Sequence, residues 1–248
     1  MAAEATPFAK TGGLADVAGA LPGAMAACGV DMRTLIPGYP QVIDKIGTAK
    51  SVMTIEALFG GPARLLKAKL GETPLYVLDA PHLFDRPGAI YLNPEGWDWP
   101  DNPERFAALS MAAAMIGADG IKGDAGWSPD ILHLHDWQAA LAPIYLREMG
   151  AEARVKTVLT IHNIAFQGLM PRDRMKALAL PEKHYTPDGL EYYGQVSALK
   201  AGLVYADKLT TVSPTYAAEL MTPDFGMGLD GVLQSRRGDL SGIINGID

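Results

Sequence analysis

Cysteine is nearly absent. The 248 residues hold one, Cys28, so no internal disulfide can form, and a reducing, cytoplasmic setting is expected. Cys28 lies in the small apolar run 26–30 and is expected to pack there. Long apolar runs are also missing. Nothing approaches the ~20 residues that span a bilayer, and the N-terminus carries no basic stretch followed by an apolar one, so neither a membrane partner nor a secretory signal is expected. Charge is sparse, with 20% charged residues and a formal net charge of −7, which argues against a general nucleic-acid binder. The Gly-x4-Gly-Lys-Ser/Thr spacing of a P-loop does not occur, and there are no repeats, no low-complexity linker and no visible internal boundary.

What remains is 48% hydrophobic, enough for a substantial core in one large domain or two small ones. Short apolar runs alternate with helical patterns, so the expected class is α/β: a mostly parallel, Rossmann-like sheet with helices on both faces. Helices are expected over 14–28 (with Pro22 a kink or break), 103–118 (capped by Asp101 or Asn102), 137–148, 189–206 and 214–221. Strands are expected over 32–36, 51–58, 63–70, 75–78, 130–135, 155–161, 208–212 and 241–245. Residues 81–102 form a long loop rich in Pro, Gly and aromatics, and such loops are more often functional than decorative.

Three places bear chemistry. In Lys10-Thr11-Gly12-Gly13-Leu14, two glycines ahead of a helix let a ligand approach the backbone, the helix N-terminus favours an anion, and Lys10 adds charge. A plain tight turn is the alternative. In His133-Leu134-His135-Asp136-Trp137, the strand period puts both histidines on one face and Asp136 at the strand's C-terminal end, where ligands bind doubly wound sheets. Asp136 is also expected to cap the next helix, and a metal site of His133, His135 and His162 is a competing reading. In 160–168, His162 and Asn163 follow a buried strand. A neutral histidine there can donate to a sugar hydroxyl, while Asn163 in a simple turn is the alternative. The run Gly226-x-Gly-x-x-Gly231 matches a dinucleotide fingerprint but follows a helix, so it reads as a loop. In 91–102, Tyr91 and two tryptophans either stack on sugars or staple the loop down.

These segments together resemble the bacterial glycogen synthase and starch synthase family. The matching stretches are 4–17, 133–137, 161–163 with 166–168, 199–202, 211–216 and 245–248, in the family's order and spacing. The resemblance implies the N-terminal, acceptor-side half of a GT-B glycosyltransferase, occupying 1–248. The whole enzyme would move glucose from ADP-glucose to the 4-hydroxyl of an α-1,4-glucan such as glycogen, with retention and without metal or other cofactor. It also implies roles: Lys10, Gly12 and Gly13 at the donor diphosphate and sugar, Asp16 and Asn245 on the nucleotide side, His162 with Asn163 at the donor glucose, and Asp136 and Tyr91 toward the acceptor. Two departures from the family are expected to matter. The nucleotide-binding C-terminal domain does not follow, so this chain alone is expected to be inactive as a synthase. The apolar strand that precedes Glu4 in the family is replaced by Met1-Ala2-Ala3. A glucan-binding fragment without catalysis and a metal-dependent hydrolase are the other functional readings.

Overall fold

The computed structural model describes residues 1–246. Its contacts divide it into two compact units, Met1–Ser128 and Pro129–Asp248, at a point where composition gives no boundary signal.

In the first unit, α1 (Gly13–Ala26) leads to β1 (Thr34–Pro37) and α2 (Pro40–Ile46). A meander of β2 (Lys50–Leu58), β3 (Gly61–Leu70) and β4 (Thr73–Asp79) follows, then α3 (Pro81–Phe84) and α4 (Asn102–Asp119). The sheet order is β1-β4-β3-β2, and only β1 and β4 are parallel. The expectation of a mostly parallel sheet therefore fails in this unit. The reason is local: β2–β3 and β3–β4 are joined by two-residue turns, Phe59-Gly60 and Gly71-Glu72, too short for a parallel crossover. Pro22 sits inside the continuous α1. Alanine-rich α4 buries most of its surface, and Phe84, Phe106 and Tyr39 fill the core beside it. Asp101 stands at the N-cap of α4 without a capping bond, because Arg86 holds its carboxylate at 2.5 and 2.6 Å. Cys28 is exposed rather than packed, since it lies in the turn that follows α1.

The second unit carries β5 (Ile131–His135), α5 (Ala142–Glu148), β6 (Lys156–Ile161), β7 (Leu169–Pro171), β8 (Glu191–Tyr192), β9 (Gln195–Ser197), α6 (Ala198–Tyr205), β10 (Lys208–Thr211), α7 (Pro214–Leu220), α8 (Asp230–Ser235) and β11 (Leu240–Gly242). Its main sheet, ordered β11-β10-β6-β5, is parallel throughout. The α/β class thus holds, with the parallel core concentrated here. Because parallel strands end on one side, the residues after β5, β6, β10 and β11 share one edge.

Two expected helices are shorter than their patterns. Residues 137–140 form turns, and α5 begins only at Ala142, with Pro143 in its first turn, where the missing N–H does no harm. The 189–206 pattern splits into the β8–β9 hairpin and α6. Tyr193 and Gly194, with φ of 46° and 83°, make the two-residue turn that suits strand twist. Ser197 then caps α6 by accepting from the Lys200 N–H at 3.1 Å.

Candidate active site

In the first unit the glycine pair leads directly into α1, and a Cβ added to Gly12 or Gly13 would meet nothing within 4 Å. The backbone is open to solvent there. Its donors are not all open. The buried Glu4 carboxylate accepts from the Thr11 N–H, from the Thr11 hydroxyl at 3.0 Å and from the Gly12 N–H. Burial raises the pKa of Glu4, and those hydrogen bonds oppose the rise. Lys10 is paired rather than mobile: its Nζ lies 2.7 Å from both carboxylate oxygens of Asp16, to which the Thr6 hydroxyl also donates at 3.1 Å. The Lys10 contact holds the Asp16 carboxyl below its ordinary pKa.

The two tryptophans of the 91–102 loop sit differently. Trp99 is a staple, lying under the Arg86 guanidinium at 4.9 Å, whereas Trp97 is 73% exposed. Tyr91 is half-buried, with its ring 5.7 Å from that of Phe106, and its carbonyl accepts from Asn102 at 3.0 Å.

The C-terminal edge of the second unit's sheet gathers Asp136, His162 and Asn163. Asp136 does not cap α5, whose N-cap is Leu141. It adopts φ 55°, a left-handed conformation uncommon outside glycine. That turns its carboxylate across to the end of β6, where Oδ1 accepts from the backbone N–H of His162 at 2.7 Å and of Asn163 at 3.3 Å. Strain of this kind tends to cluster at functional sites. Asn163 serves the turn, since its Oδ1 accepts from the Ala165 N–H at 3.0 Å. Gly168, with φ 60°, lies under Trp137, where a Cβ would come within 2.3 Å of the indole. Asn245 follows β11 and is exposed, while the neighbouring motif residues Ile247 and Asp248 lie outside the described residues. Residues 226–229 of the Gly226–Gly231 run are a loop, as expected, whereas Asp230 and Gly231 already open α8.

Three histidines stand together here. The rings of His133 and His135 stack at 4.4 Å and those of His135 and His162 at 5.2 Å. The His135 Nδ1 lies 2.9 Å from the His162 Nε2, and the His133 Nε2 lies 2.6 Å from the Thr160 hydroxyl, which in turn meets the Thr210 hydroxyl at 2.6 Å. Burial pushes His133 down to about 3 and His162 to about 4, and His135 lies well below its ordinary value. All three rings are therefore neutral at pH 7. One nitrogen of each ring faces a hydrogen-bond partner. Among the described residues, no group of three or more His, Cys, Asp or Glu side chains could hold a metal ion. The competing metal reading thus lacks a donor set.

Sequence reasoning did not single out Glu4 as a site residue, and it took His135 only as a metal ligand. The period-two pattern that pairs His135 with His133 is legible. Its contact with His162 requires the β5–β6 register, His135 opposite Thr160.

Residues 1–235 match the family model described as the starch synthase catalytic domain. The chain belongs to that family. Over all 248 residues it is 61% identical to a protein named glycogen synthase from Paracoccus denitrificans and 56% identical to one from Roseobacter denitrificans, covering 52% and 51% of them. It is also similar to a solved structure, the catalytic domain of starch synthase IV from Arabidopsis thaliana bound to ADP and acarbose. That match has a TM-score of 0.84 at 28% identity and covers 99% of this chain and 50% of that one. The chain therefore spans about half the length of the curated relatives it matches. No described helix is long and apolar enough to cross a membrane.

Proposed function

We propose that residues 1–248 form the acceptor-side half of an ADP-glucose-dependent α-1,4-glucan synthase of the GT-B type, a retaining glucosyltransferase of glycogen synthesis working in the cytoplasm without a cofactor. The observation that carries this reading is His162. It is a neutral histidine at the C-terminal edge of a parallel sheet, its backbone anchored by Asp136 and its ring held by His135, in a chain 61% identical to a glycogen synthase. A neutral ring fixed from behind donates to or accepts from a sugar hydroxyl without charge repulsion against an oxocarbenium-like transition state. Asn163 flanks it. Asp136 acts by holding the turn that carries both residues, and it and Tyr91 are assigned to the acceptor. Lys10 and the open Gly12 and Gly13 backbone take the donor diphosphate and sugar. Because Asp16 holds Lys10, donor binding exchanges a carboxylate for a phosphate at that ammonium. Asn245 is assigned to the nucleotide side. The bound ADP and acarbose named for the Arabidopsis enzyme support a nucleotide and a glucan-like sugar as ligands.

The test is glucosyl transfer from ADP-glucose to glycogen, using this chain with and without the complementary half of a Paracoccus-type relative, with the anomeric configuration of the product read by NMR. Transfer with retention in the paired sample, and little in the chain alone, is the expected result. Failure to transfer glucose in the paired sample, when the intact relative does so under the same conditions, would remove the reading.

A further inference from the structure

The His135 ring is almost fully buried, carries no ligand role in the reading above, and touches the ring that does. Two imidazole nitrogens 2.9 Å apart cannot both carry a proton, nor both present lone pairs, without repulsion. One must donate and the other accept, so the tautomers of the two rings are coupled. Neutrality sharpens the coupling, because each ring has a single N–H to place. If the His135 Nδ1 donates, the His162 Nε2 accepts and the His162 proton sits on its other nitrogen, Nδ1. If the direction is reversed, that other nitrogen becomes an acceptor.

We propose that His135 is a positioning residue that locks His162 in one ring orientation and one tautomer, and so determines whether the His162 Nδ1 offers a donor or a lone pair to a ligand hydroxyl. The proposal rests on the reading of His162 as a ligand-contacting residue. Three features make the lock rigid. His135 is 2% exposed and ends a strand in register with β6. Its other face is stacked on His133, itself tied to the Thr160–Thr210 hydroxyl pair. The His162 backbone N–H is held independently by Asp136, so the turn that carries the ring is fixed, and the contact with His135 then holds the ring itself. An exposed histidine would interconvert between tautomers. This one cannot do so unless His135 changes with it.

The test is nitrogen-detected NMR of the histidine rings in the 248-residue chain, without substrate. In the unsubstituted protein, His162 should show the nitrogen pattern of a single neutral tautomer at pH 7, with a scalar coupling across the His135 Nδ1 to His162 Nε2 hydrogen bond. In His135→Phe, which keeps a flat ring against His133, the coupling should vanish and the His162 nitrogens should move toward an averaged, mixed-tautomer position. Averaged nitrogens in the unsubstituted chain overturn the proposal even if the variant does not fold. A His162 pattern unchanged in a folded His135→Phe overturns it as well. Neither readout uses ADP-glucose or glucan, so loss of the lock and loss of the glucosyltransferase reading are separate results.

Discussion

The two groups of site residues are built on opposite physical terms. The loop of the first unit is exposed and ionic: Lys10 and Asp16 are each about half accessible and pair in water, and the glycines leave the backbone bare. The edge of the second unit is buried and neutral. Three stacked imidazoles are held uncharged by burial, and a carboxylate is spent on two backbone N–H groups. An ionic, exposed arrangement is easily exchanged for a charged ligand and is screened by salt. A neutral, buried one is preorganised and resists rearrangement. The contrast fits the roles proposed above, with the diphosphate assigned to the loop and the sugar to the edge.

The strongest test of this contrast is catalytic. In an enzyme completed with its second half, His162→Ala should lower kcat by roughly 100-fold or more while the donor KM changes much less, as expected for loss of one preorganised group. Steady-state kinetics decide this, and a raised KM with kcat preserved would make His162 a binding residue only. Lys10→Ala in the same enzyme should instead raise the donor KM, more steeply at low salt.

Stability separates the regions next. Asp136→Ala leaves the His162 and Asn163 N–H groups without their acceptor and should cost about 1–3 kcal/mol. Asp136→Asn keeps an acceptor oxygen and tolerates the left-handed backbone, so it should cost clearly less. Urea unfolding of this chain reads both variants.

Acid provides a third discriminator. An imidazole whose folded pKa lies below its unfolded value of 6.5 contributes no penalty above that pH. Below it the unfolded chain takes up a proton that the folded chain refuses. Stability should therefore fall as pH drops from 6.5 to about 4 for His162 and to about 3 for His133, at about 1.4 kcal/mol per pH unit for each. Asp16, whose carboxyl is lowered by Lys10, contributes its stability above its ordinary 3.8 and loses it only as pH falls below that value. A urea midpoint that is flat between pH 7 and 5 would contradict the neutral stack.

The smallest effects belong to the exposed loop. Gly12→Ala should change stability by no more than about 0.5 kcal/mol, because the added methyl meets open space. Lys10→Ala should fall within about 1 kcal/mol and shrink further in added salt. Thermal melts at low and high NaCl check both. If Gly12→Ala is neutral for folding yet weakens donor binding in the completed enzyme, the open space belongs to the ligand.

Much of this was legible in the residues. The β2, β3 and β4 runs and the β5 and β6 strands follow from short apolar runs bounded by turn residues, and the shared face of His133 and His135 from the strand period, all of which are local. The helix readings over 137–148 and 189–206 overreached because turn chemistry overrode apolar spacing: Pro143 suits a helix start, and Tyr193-Gly194 turns a hairpin. Asp136 looked like a helix cap because it precedes a helical pattern, but its backbone angle sends the carboxylate elsewhere.

By itself the sequence determined the α/β class, the main strands, the positions of the glycine loop and the two histidine-bearing strand ends, and the family. All of these are written in neighbouring residues. Only the tertiary structure decided what those groups do to one another. Lys10 meets Asp16 and Glu4 seats beneath Thr11 and Gly12 through the folded loop, while Asp136 reaches His162 across 26 positions and His135 finds the His162 ring across 27. Such contacts depend on strand register and backbone torsion, and the dry packing around the histidines sets their charge. None of these is a property of a residue or its chain neighbours.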